Sequence, residues 1–317
     1  MTLTLQVLVS GLAAGGVYGL VAIGYTLIYR LTGVVQLAFG SLVGLGVFAT
    51  LLVAAGVDPV ARAASTPRFV IALLAGLAVC IGAGVLTYWV AVQPFLARGS
   101  TLGWVAATLA LAFALKAALD TAFARSSYVF PDPLHLDRIG RAGFVRIGGA
   151  SVQARAFVVL GIAVVLAAAA GWTLERTRFG RGLRAISADI EGARVVGVPV
   201  DRLVALAFGL TGGLAALAAV VAAPSAPFDT QAGLLLGLKG LVAALAVRFG
   251  SPWRAFAAGI VLGLLEGAIA GLRIAGAELG PEYREVIPLA LVLLLLAVRP
   301  PLEAVEEVEW GRPSRAR

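Results

Sequence analysis

Runs of about 20 apolar residues recur along the whole chain, and they limit the folds that are open to it. A helix of that length crosses the hydrocarbon core of a bilayer, because each residue adds about 1.5 Å along the axis. Apolar residues make up 60% of the 317 and charged residues only 13%. In soluble proteins roughly 45–50% of the residues are apolar and about 25% are charged. The sequence therefore predicts an all-α, polytopic membrane helix bundle.

Nine runs approach the length of a transmembrane helix. They lie at Leu3–Tyr29, Val34–Gly56, Phe69–Val92, Thr101–Phe123, Ala156–Leu174, Leu203–Ala223, Gly233–Phe249, Trp253–Leu272 and Val286–Val298. The seventh and ninth runs are short, and the second and seventh carry glycine and polar breaks. Eight full spans with a short re-entrant segment therefore fit the pattern as well as nine spans do.

The placement of arginine predicts the orientation in the membrane. The polar segment 175–202, called here the arginine-rich segment, holds Arg176, Arg178, Arg181, Arg184, Arg194 and Arg202. Loops rich in Lys and Arg stay in the cytoplasm, so this segment is predicted to be a cytoplasmic loop. Counting nine crossings from it places the tail 300–317 inside and the loop 124–155 outside. Two short strands around Gly148-Gly149 in that outer loop predict a small hairpin.

The net charge of +8 is also explained by basic loops held on one side of a membrane. A basic chain can bind nucleic acid, but these basic residues lie between apolar runs, so we expect membrane lipids as neighbours and no nucleic acid. One cysteine and one histidine make a metal site of these residue types improbable. No metal is expected.

The arginine-rich segment contains a predicted helix of about ten residues. Ser187 can cap its start, with Asp189 and Glu191 in the first turn. Gly197 is a natural end and Pro199 blocks continuation. One narrow apolar face is formed at helical spacing by Ile186, Ile190, Ala193 and Gly197. The residues alone favour a connector lying on lipid and a docking surface equally.

A family resemblance favours the docking surface. The run RFGRGLRAISADIEGARVVGV resembles the cytoplasmic loop of the branched-chain amino-acid ABC transporter permeases, the LivH/LivM family, and the chain is most similar to the LivH half. In that family this loop holds the coupling helix, which sits in a cleft of the ATPase subunit. The resemblance assigns ATPase coupling to Arg184, Ala185, Asp189, Ala193, Arg194 and Gly197, and Glu191 belongs to the same helix.

The resemblance covers most of the chain and implies a single permease domain over residues 1–317. GLAAGGVYGLVAIGYTLIYRLTGVVQLAFG resembles the family's opening span and its Asn-Phe-Ala-His-Gly signature, but Gln36 and Phe39 replace the Asn and the His. GLLLGLKGLVAALAVRFGSPWRAFAAGIVLGLLEG resembles a later block that contains Lys239 and Glu266. These four positions are the candidates for a translocation pathway. The departure at Gln36 and Phe39 leaves open which solute is carried.

Charges inside a bilayer are costly and mark candidate functional sites. Lys116 and Asp120, four residues apart, are explained by pairing near the end of a span. Lys239 and Glu266 lie at similar predicted depths in antiparallel neighbours and could form a pair. Two interpretations remain open: a structural ion pair, or side chains that line a translocation path.

Glycines recur every fourth residue in two spans. The first stripe is Gly259, Gly263, Gly267 and Gly271, and the second is Gly11, Gly15 and Gly19. A bare helix face of this kind allows close approach of another helix. We expect packing within the chain rather than a subunit interface.

The chain contains only two lysines, each preceded by leucine, so it has no Gly-Lys-Ser/Thr phosphate loop. An enzyme is not expected, and no cofactor is expected in this chain. The resemblance implies ATP and Mg²⁺ on two ABC ATPase subunits, a second, LivM-like permease, and a solute-binding protein at the outer face of the inner (cytoplasmic) membrane. The predicted function is import of branched-chain amino acids or a related small polar solute by alternating access. The alternatives are a self-sufficient secondary transporter or channel, and a scaffold for membrane assembly.

Overall fold

A computed structural model describes most of the chain. The described residues are 2–56, 66–96, 101–123, 127–130, 143–147, 150–225, 227–270, 273–274, 277–278, 286 and 290. The tail 300–317, Gly271 and nearly all of the ninth apolar run lie outside them, so those predictions stay open.

Apolar helices make up the bundle. They are α1 (Thr2–Thr32), α2 (Phe39–Ala54), α3 (Thr66–Thr87), α4 (Gln93–Leu96), α5 (Thr101–Ala122), α6 (Ala154–Arg176), α9 (Val200–Ala222), α10 (Ala232–Ala246) and α11 (Pro252–Ala270). A π-helical turn, Tyr88–Val92, joins α3 to α4, and a 3-10 turn, Ala223–Ser225, follows α9. Six helices in the described part of the chain are long and apolar enough to cross a membrane, which confirms a multi-pass all-α bundle.

The polar segments hold the remaining elements. The arginine-rich segment forms α7 (Arg178–Ala188) and α8 (Ile190–Val195). Strands β1 (Phe144–Ile147) and β2 (Ala150–Gln153) pair antiparallel, which confirms the predicted hairpin. A second short pair is β3 (Arg273–Ile274) with β4 (Ala277–Glu278). Because α6 runs from β2 to the arginine-rich segment, these two features define the hairpin end and the arginine-rich end of the bundle.

The two glycine stripes pack directly against each other in the core. Helices α1 and α11 run antiparallel, so that Gly11 lies against Gly263 and Gly15 against Gly259 and Ile260. A Cβ on Gly11 would come 2.7 Å from the carbonyl oxygen of Gly263. Such a distance is too short for any side chain, because the two backbones themselves are in contact. Gly267 packs at the start of α1 in the same way.

Helices α2 and α10 are too short to cross a bilayer alone. They contain 16 and 15 residues, or about 23–24 Å, against a hydrocarbon core of about 30 Å. These are the second and seventh apolar runs, for which the sequence predicted breaks. They pack against each other through glycine, since a Cβ on Gly233 would come 2.5 Å from the Cα of Gly44. The short helices are thus held inside the bundle by neighbouring helices.

Candidate functional site

The arginine-rich segment contains two helices and not one. The start of α7 is capped by Thr177, whose hydroxyl accepts a hydrogen bond from the amide of Gly180 at 3.1 Å. Helix α7 ends at Asp189, which has an extended backbone (φ −159°, ψ 110°). The carboxylate of Asp189 then caps α8 by accepting from the amides of Glu191 (3.0 Å) and Gly192 (2.9 Å).

The predicted cap at Ser187 is therefore wrong. The hydroxyl of Ser187 donates to the carbonyl of Arg184 at 3.0 Å, within the last turn of α7. Asp189 has the extended backbone of a capping residue. Its negative carboxylate is also a stronger acceptor than a serine hydroxyl for the amides at the positive end of a helix. Asp189 consequently sets the boundary, two residues later than predicted.

The predicted end of the helix is confirmed at Gly197. This glycine has a φ of +83°, a conformation that L side chains rarely adopt. Its amide donates to the backbone carbonyl of Arg194 at 3.0 Å, and the amide of Val198 donates to the backbone carbonyl of Ala193 at 2.9 Å. These two bonds form a Schellman motif, which satisfies the last carbonyls of α8.

The apolar face of the segment packs against the bundle. Ile186, Ile190 and Ala193 are buried in one cluster that also contains Leu31 of α1 and Val204 of α9. Because these side chains already contact protein, they are not available to rest on lipid. A connector lying on lipid could therefore not use this predicted apolar face.

Arg184 is held by the end of α6. Its guanidinium donates to the carbonyl of Leu174 and, at 3.2 Å, to that of Glu175. Both carbonyls belong to the last turn of α6, where a helix lacks its own donors and carries partial negative charge. Arg184 thus fastens α7 to the end of a membrane-spanning helix.

Most of the other predicted coupling residues are exposed. They are Ala185, Asp189, Glu191, Arg194 and Gly197, whereas Ala193 is buried. Between them, Val195 is 86% exposed and Val196 is 76% exposed. The sequence analysis missed this apolar pair, although two valines directly before the helix-ending glycine, off the buried face, are a readable signal.

A part-buried hydrogen bond links α9 to the π-helical turn. The hydroxyl of Tyr88 donates to the carboxylate of Asp201 at 2.8 Å, and Asp201 lies in the first turn of α9. Single-turn π segments often occur at functional positions in helices. The contact joins α3 to the point where the arginine-rich segment re-enters the bundle.

Lys239 and Glu266 form an ion pair, together with a tyrosine that the sequence analysis missed. The ammonium of Lys239 lies 2.9 Å from Glu266 Oε1, and the two side chains are only 12% and 9% exposed. The hydroxyl of Tyr18 donates to Glu266 Oε2 at 2.7 Å. Lys239 also donates to the Tyr18 hydroxyl at 3.3 Å. The three side chains, called here the Tyr-Lys-Glu triad, connect α1, α10 and α11.

A cavity of about 520 Å³ opens above the triad at the hairpin end. Its walls come from α1, α6, α9 and α10, and it is lined among others by Ser10, Tyr18, Arg155, Phe228, Leu235 and Lys239. The charged residues among its described lining residues, Arg155 and Lys239, are both cationic. Lys239 is therefore both a member of the ion pair and a lining residue of this cavity, and its role in a translocation path stays a prediction.

Gln36 and Phe39 lie elsewhere: Gln36 is in the connection between α1 and α2, and Phe39 is the first residue of α2. Phe39 is buried, with its ring over Gly24 and 4.8 Å from the ring of Tyr25. Gln36 is 1% exposed, and its amide nitrogen and oxygen have no hydrogen-bond partner among the described residues. Neither residue lines the cavity above the triad.

Comparison with known proteins identifies the family. A family model described as branched-chain amino acid transport system / permease component matches residues 7–296. The chain is 27% identical over 314 residues to the high-affinity branched-chain amino acid transport system permease protein BraD of Pseudomonas aeruginosa, covering 93% of this chain and 94% of BraD.

Two further relatives bear similar names. LivH of Escherichia coli K12, a high-affinity branched-chain amino acid transport system permease protein, is 23% identical over 297 residues, with 93% of this chain and 94% of LivH covered. The autoinducer 2 import system permease protein LsrC of Salmonella choleraesuis is 27% identical over 235 residues, with 74% of this chain and 58% of LsrC covered. The family match extends over most of the chain, including the arginine-rich segment, the Tyr-Lys-Glu triad and the cavity. This multi-pass membrane protein therefore belongs to the branched-chain amino acid transport system permease family.

Proposed function

We propose that the chain is the transmembrane permease subunit of an ABC importer for branched-chain amino acids or a related small polar solute. The family match and the names of the relatives support the class of transporter and of solute. The observation that carries the proposal is the arginine-rich segment, whose two capped helices are fastened to α6 and α9 and present Val195 and Val196 outwards.

The exposed surface of α8 is the proposed contact with an ATPase subunit. Two adjacent exposed valines give such a contact an apolar centre, and Glu191 and Arg194 beside them offer charge-assisted hydrogen bonds at its edge. Ala193 supports the surface from behind, and Arg184 and Asp189 fix the two helices in place. ATP and Mg²⁺ would be held by the two ATPases.

The orientation follows from the same segment. The arginine-rich end faces the cytoplasm and the hairpin end faces outwards, in agreement with the distribution of arginine. A solute-binding protein would deliver substrate at the hairpin end, where the cavity opens, and a second, LivM-like permease would complete the pathway. Closure of the ATPases would move α7 and α8 and change the access to that cavity.

The experiment compares two double variants of the permease, assembled with its ATPases in proteoliposomes. Val195→Asp/Val196→Asp places charge at the centre of the contact, and we expect both ATPase activity stimulated by substrate and uptake to fall at least tenfold, since central interface residues each contribute about 1–2 kcal/mol. The matched control, Val195→Leu/Val196→Leu, keeps the surface apolar and should retain most of both activities.

Three results would contradict the proposal. Normal substrate-stimulated ATPase activity in the aspartate variant would remove α8 from the coupling contact. Uptake by the permease alone, without ATPase subunits, would favour the secondary transporter or channel. A protein that neither transports nor stimulates ATP hydrolysis would favour the scaffold.

A further inference from the structure

We infer that the arginine-rich end of the bundle holds one anionic phospholipid between α6 and α11, with Arg176 and Arg254 at its phosphate group and the exposed sides of the two helices along its acyl chains. This site is independent of the solute that the permease carries. It lies on a surface that the proposed coupling contact on α8 does not use.

Trp253 joins α11 to α6 at this end of the bundle. A Cβ on Gly171 of α6 would lie 2.8 Å from Cζ2 of the Trp253 indole, so the ring rests on a part of α6 that has no side chain. The indole nitrogen donates to Glu175 Oε1 at 3.1 Å. Tryptophan is enriched at the boundary between hydrocarbon and headgroups, because its ring is apolar and its N–H needs a polar partner. The contact therefore marks the level of the headgroups on both helices.

An arginine follows each partner of this hydrogen bond. Arg176 comes directly after Glu175 at the end of α6, and Arg254 comes directly after Trp253 in the first turn of α11. Both arginines are exposed, and within the described part of the chain neither guanidinium has an ion pair or a hydrogen bond. Two guanidinium groups from different helices thus flank one point at the level of the headgroups. Guanidinium groups bind phosphate through paired hydrogen bonds.

Each of these arginines ends an exposed stripe on its helix. On α6 the stripe is Val165, Ala168, Trp172 and Arg176, at helical spacing. Val165 is 65% exposed and Trp172 is 64% exposed. Residues 165–176 extend over about 16 Å, which is about half of a hydrocarbon core of about 30 Å. The stripe on α6 therefore has the length of an acyl chain in one leaflet.

The stripe on α11 is Arg254, Ala257 and Val261, which are also exposed and lie at helical spacing. Both helices thus present a cation followed by apolar surface that runs into the bilayer. A soluble anion would use the arginines alone, and an ATPase subunit would not reach the apolar part inside the membrane. A lipid with a neutral headgroup would bring a positive ammonium group towards two guanidinium groups. The pattern is therefore typical of a site for an anionic phospholipid.

Native mass spectrometry of the full-length chain in detergent micelles tests the site, because it counts the lipid molecules bound to each chain. The probes are dioleoylphosphatidylglycerol, which is anionic, and dioleoylphosphatidylcholine, which has the same acyl chains and a neutral headgroup. The matched variants are Arg254→Gln and Arg202→Gln. Both arginines are exposed and each is the third residue of its helix, α11 and α9, but Arg202 has no tryptophan beside it in the sequence.

We expect the unaltered chain to bind its first phosphatidylglycerol about 25-fold more tightly than phosphatidylcholine, since each arginine near an anionic headgroup contributes about fivefold. Arg254→Gln or Arg176→Gln should reduce this preference to about fivefold, and the double variant should abolish it. Arg254→Lys, which keeps the charge, and Arg202→Gln should retain it. Phosphatidylcholine should bind equally to all variants, which shows that the fold is intact.

Four outcomes would overturn the inference. Two of them are equal affinity of the unaltered chain for both lipids, and an undiminished preference in the variant that lacks both arginines. If Arg202→Gln lowers the preference as much as Arg254→Gln does, net charge attracts the lipid and this site does not. Displacement of the bound lipid by inorganic phosphate would assign the two arginines to a soluble anion. None of these results depends on ATP-driven uptake, so the proposed function can fail or hold separately.

Discussion

The contact between α1 and α11 gives a sharp test of the fold. A Cβ on Gly15 would lie 2.7 Å from the Cα of Ile260 and 2.8 Å from the carbonyl oxygens of Gly259 and Ile260. All three are backbone atoms, so no side chain can turn aside. Ordinary van der Waals contact begins at 3.4 Å, and Gly15→Ala must therefore push the two helices apart by about 0.7 Å.

The matched control is Gly161→Ala in α6, where a new Cβ has nothing within 4 Å. Alanine favours a helix over glycine by about 0.8–1.0 kcal/mol, and this gain applies to both variants. Overpacking costs about 1–3 kcal/mol, and this cost applies to Gly15→Ala alone. We therefore expect Gly161→Ala to be neutral or stabilising and Gly15→Ala to be less stable than it by about 1–3 kcal/mol.

The free energy of unfolding can be measured in mixed micelles with an increasing fraction of SDS. Gly82→Ala, which also meets open space on α3, serves as a second control. If Gly15→Ala proves as stable as Gly161→Ala, the backbones of α1 and α11 do not touch as described. The inferred cause of the glycine stripes would then be wrong.

Substitutions at three polar contacts provide further tests. Lys239→Met and Glu266→Gln should each lower the free energy of unfolding by about 3–5 kcal/mol, because either change alone leaves an unpaired buried charge. The double variant should lose less than the sum of the two, and strictly additive losses would argue against the pair. Asp189→Ala should speed hydrogen exchange of the two amides that it caps by about fivefold, for a loss of about 1 kcal/mol, while Asp189→Asn should not. Unchanged exchange would mean that the cap does not hold α8. Tyr88→Phe should lower the free energy of unfolding by about 1–2 kcal/mol, since it removes a part-buried hydrogen bond to the carboxylate of Asp201. No loss of stability would show that the bond does not contribute.

Features that depend on neighbouring residues in the chain could be predicted from the sequence. The apolar runs require helices of membrane length, and their breaks mark the short helices α2 and α10. The hairpin follows from alternating residues around two glycines, and the end of α8 follows from Gly197, which adopts a positive φ. In these cases the local preference and the fold agree.

Features that depend on contacts between distant residues could only be predicted in part. Ser187 and Asp189 are both good caps. The choice between them depends on the cap of α7 at Thr177 and on the burial of Ile186 in α7 and Ile190 in α8 against other helices. Tyr18 joins the triad from 221 residues away along the chain, and no spacing in the sequence indicates that.

The candidate pathway shows the same limit. Gln36 and Phe39 were chosen as candidates because they align with a family signature. Such an alignment identifies positions in the sequence but does not show which residues surround them in the fold. The structure places Gln36 in the connection between α1 and α2 and Phe39 at the start of α2, and neither lines the cavity. A role for them in translocation stays a prediction.

The attachment of α7 and α8 has a mechanical consequence. The pair is tied to the end of α6 through Arg184 and to the start of α9 through the turn at Gly197. Both spans contain 23 residues, or about 35 Å of rigid rod, and their opposite ends supply Arg155 and Ala222 to the cavity. A force applied to α7 and α8 is therefore transmitted to both α6 and α9. A tilt of these two spans by about 5° would shift their far ends by about 3 Å. That shift would narrow or widen the mouth of the cavity by about the width of a water molecule.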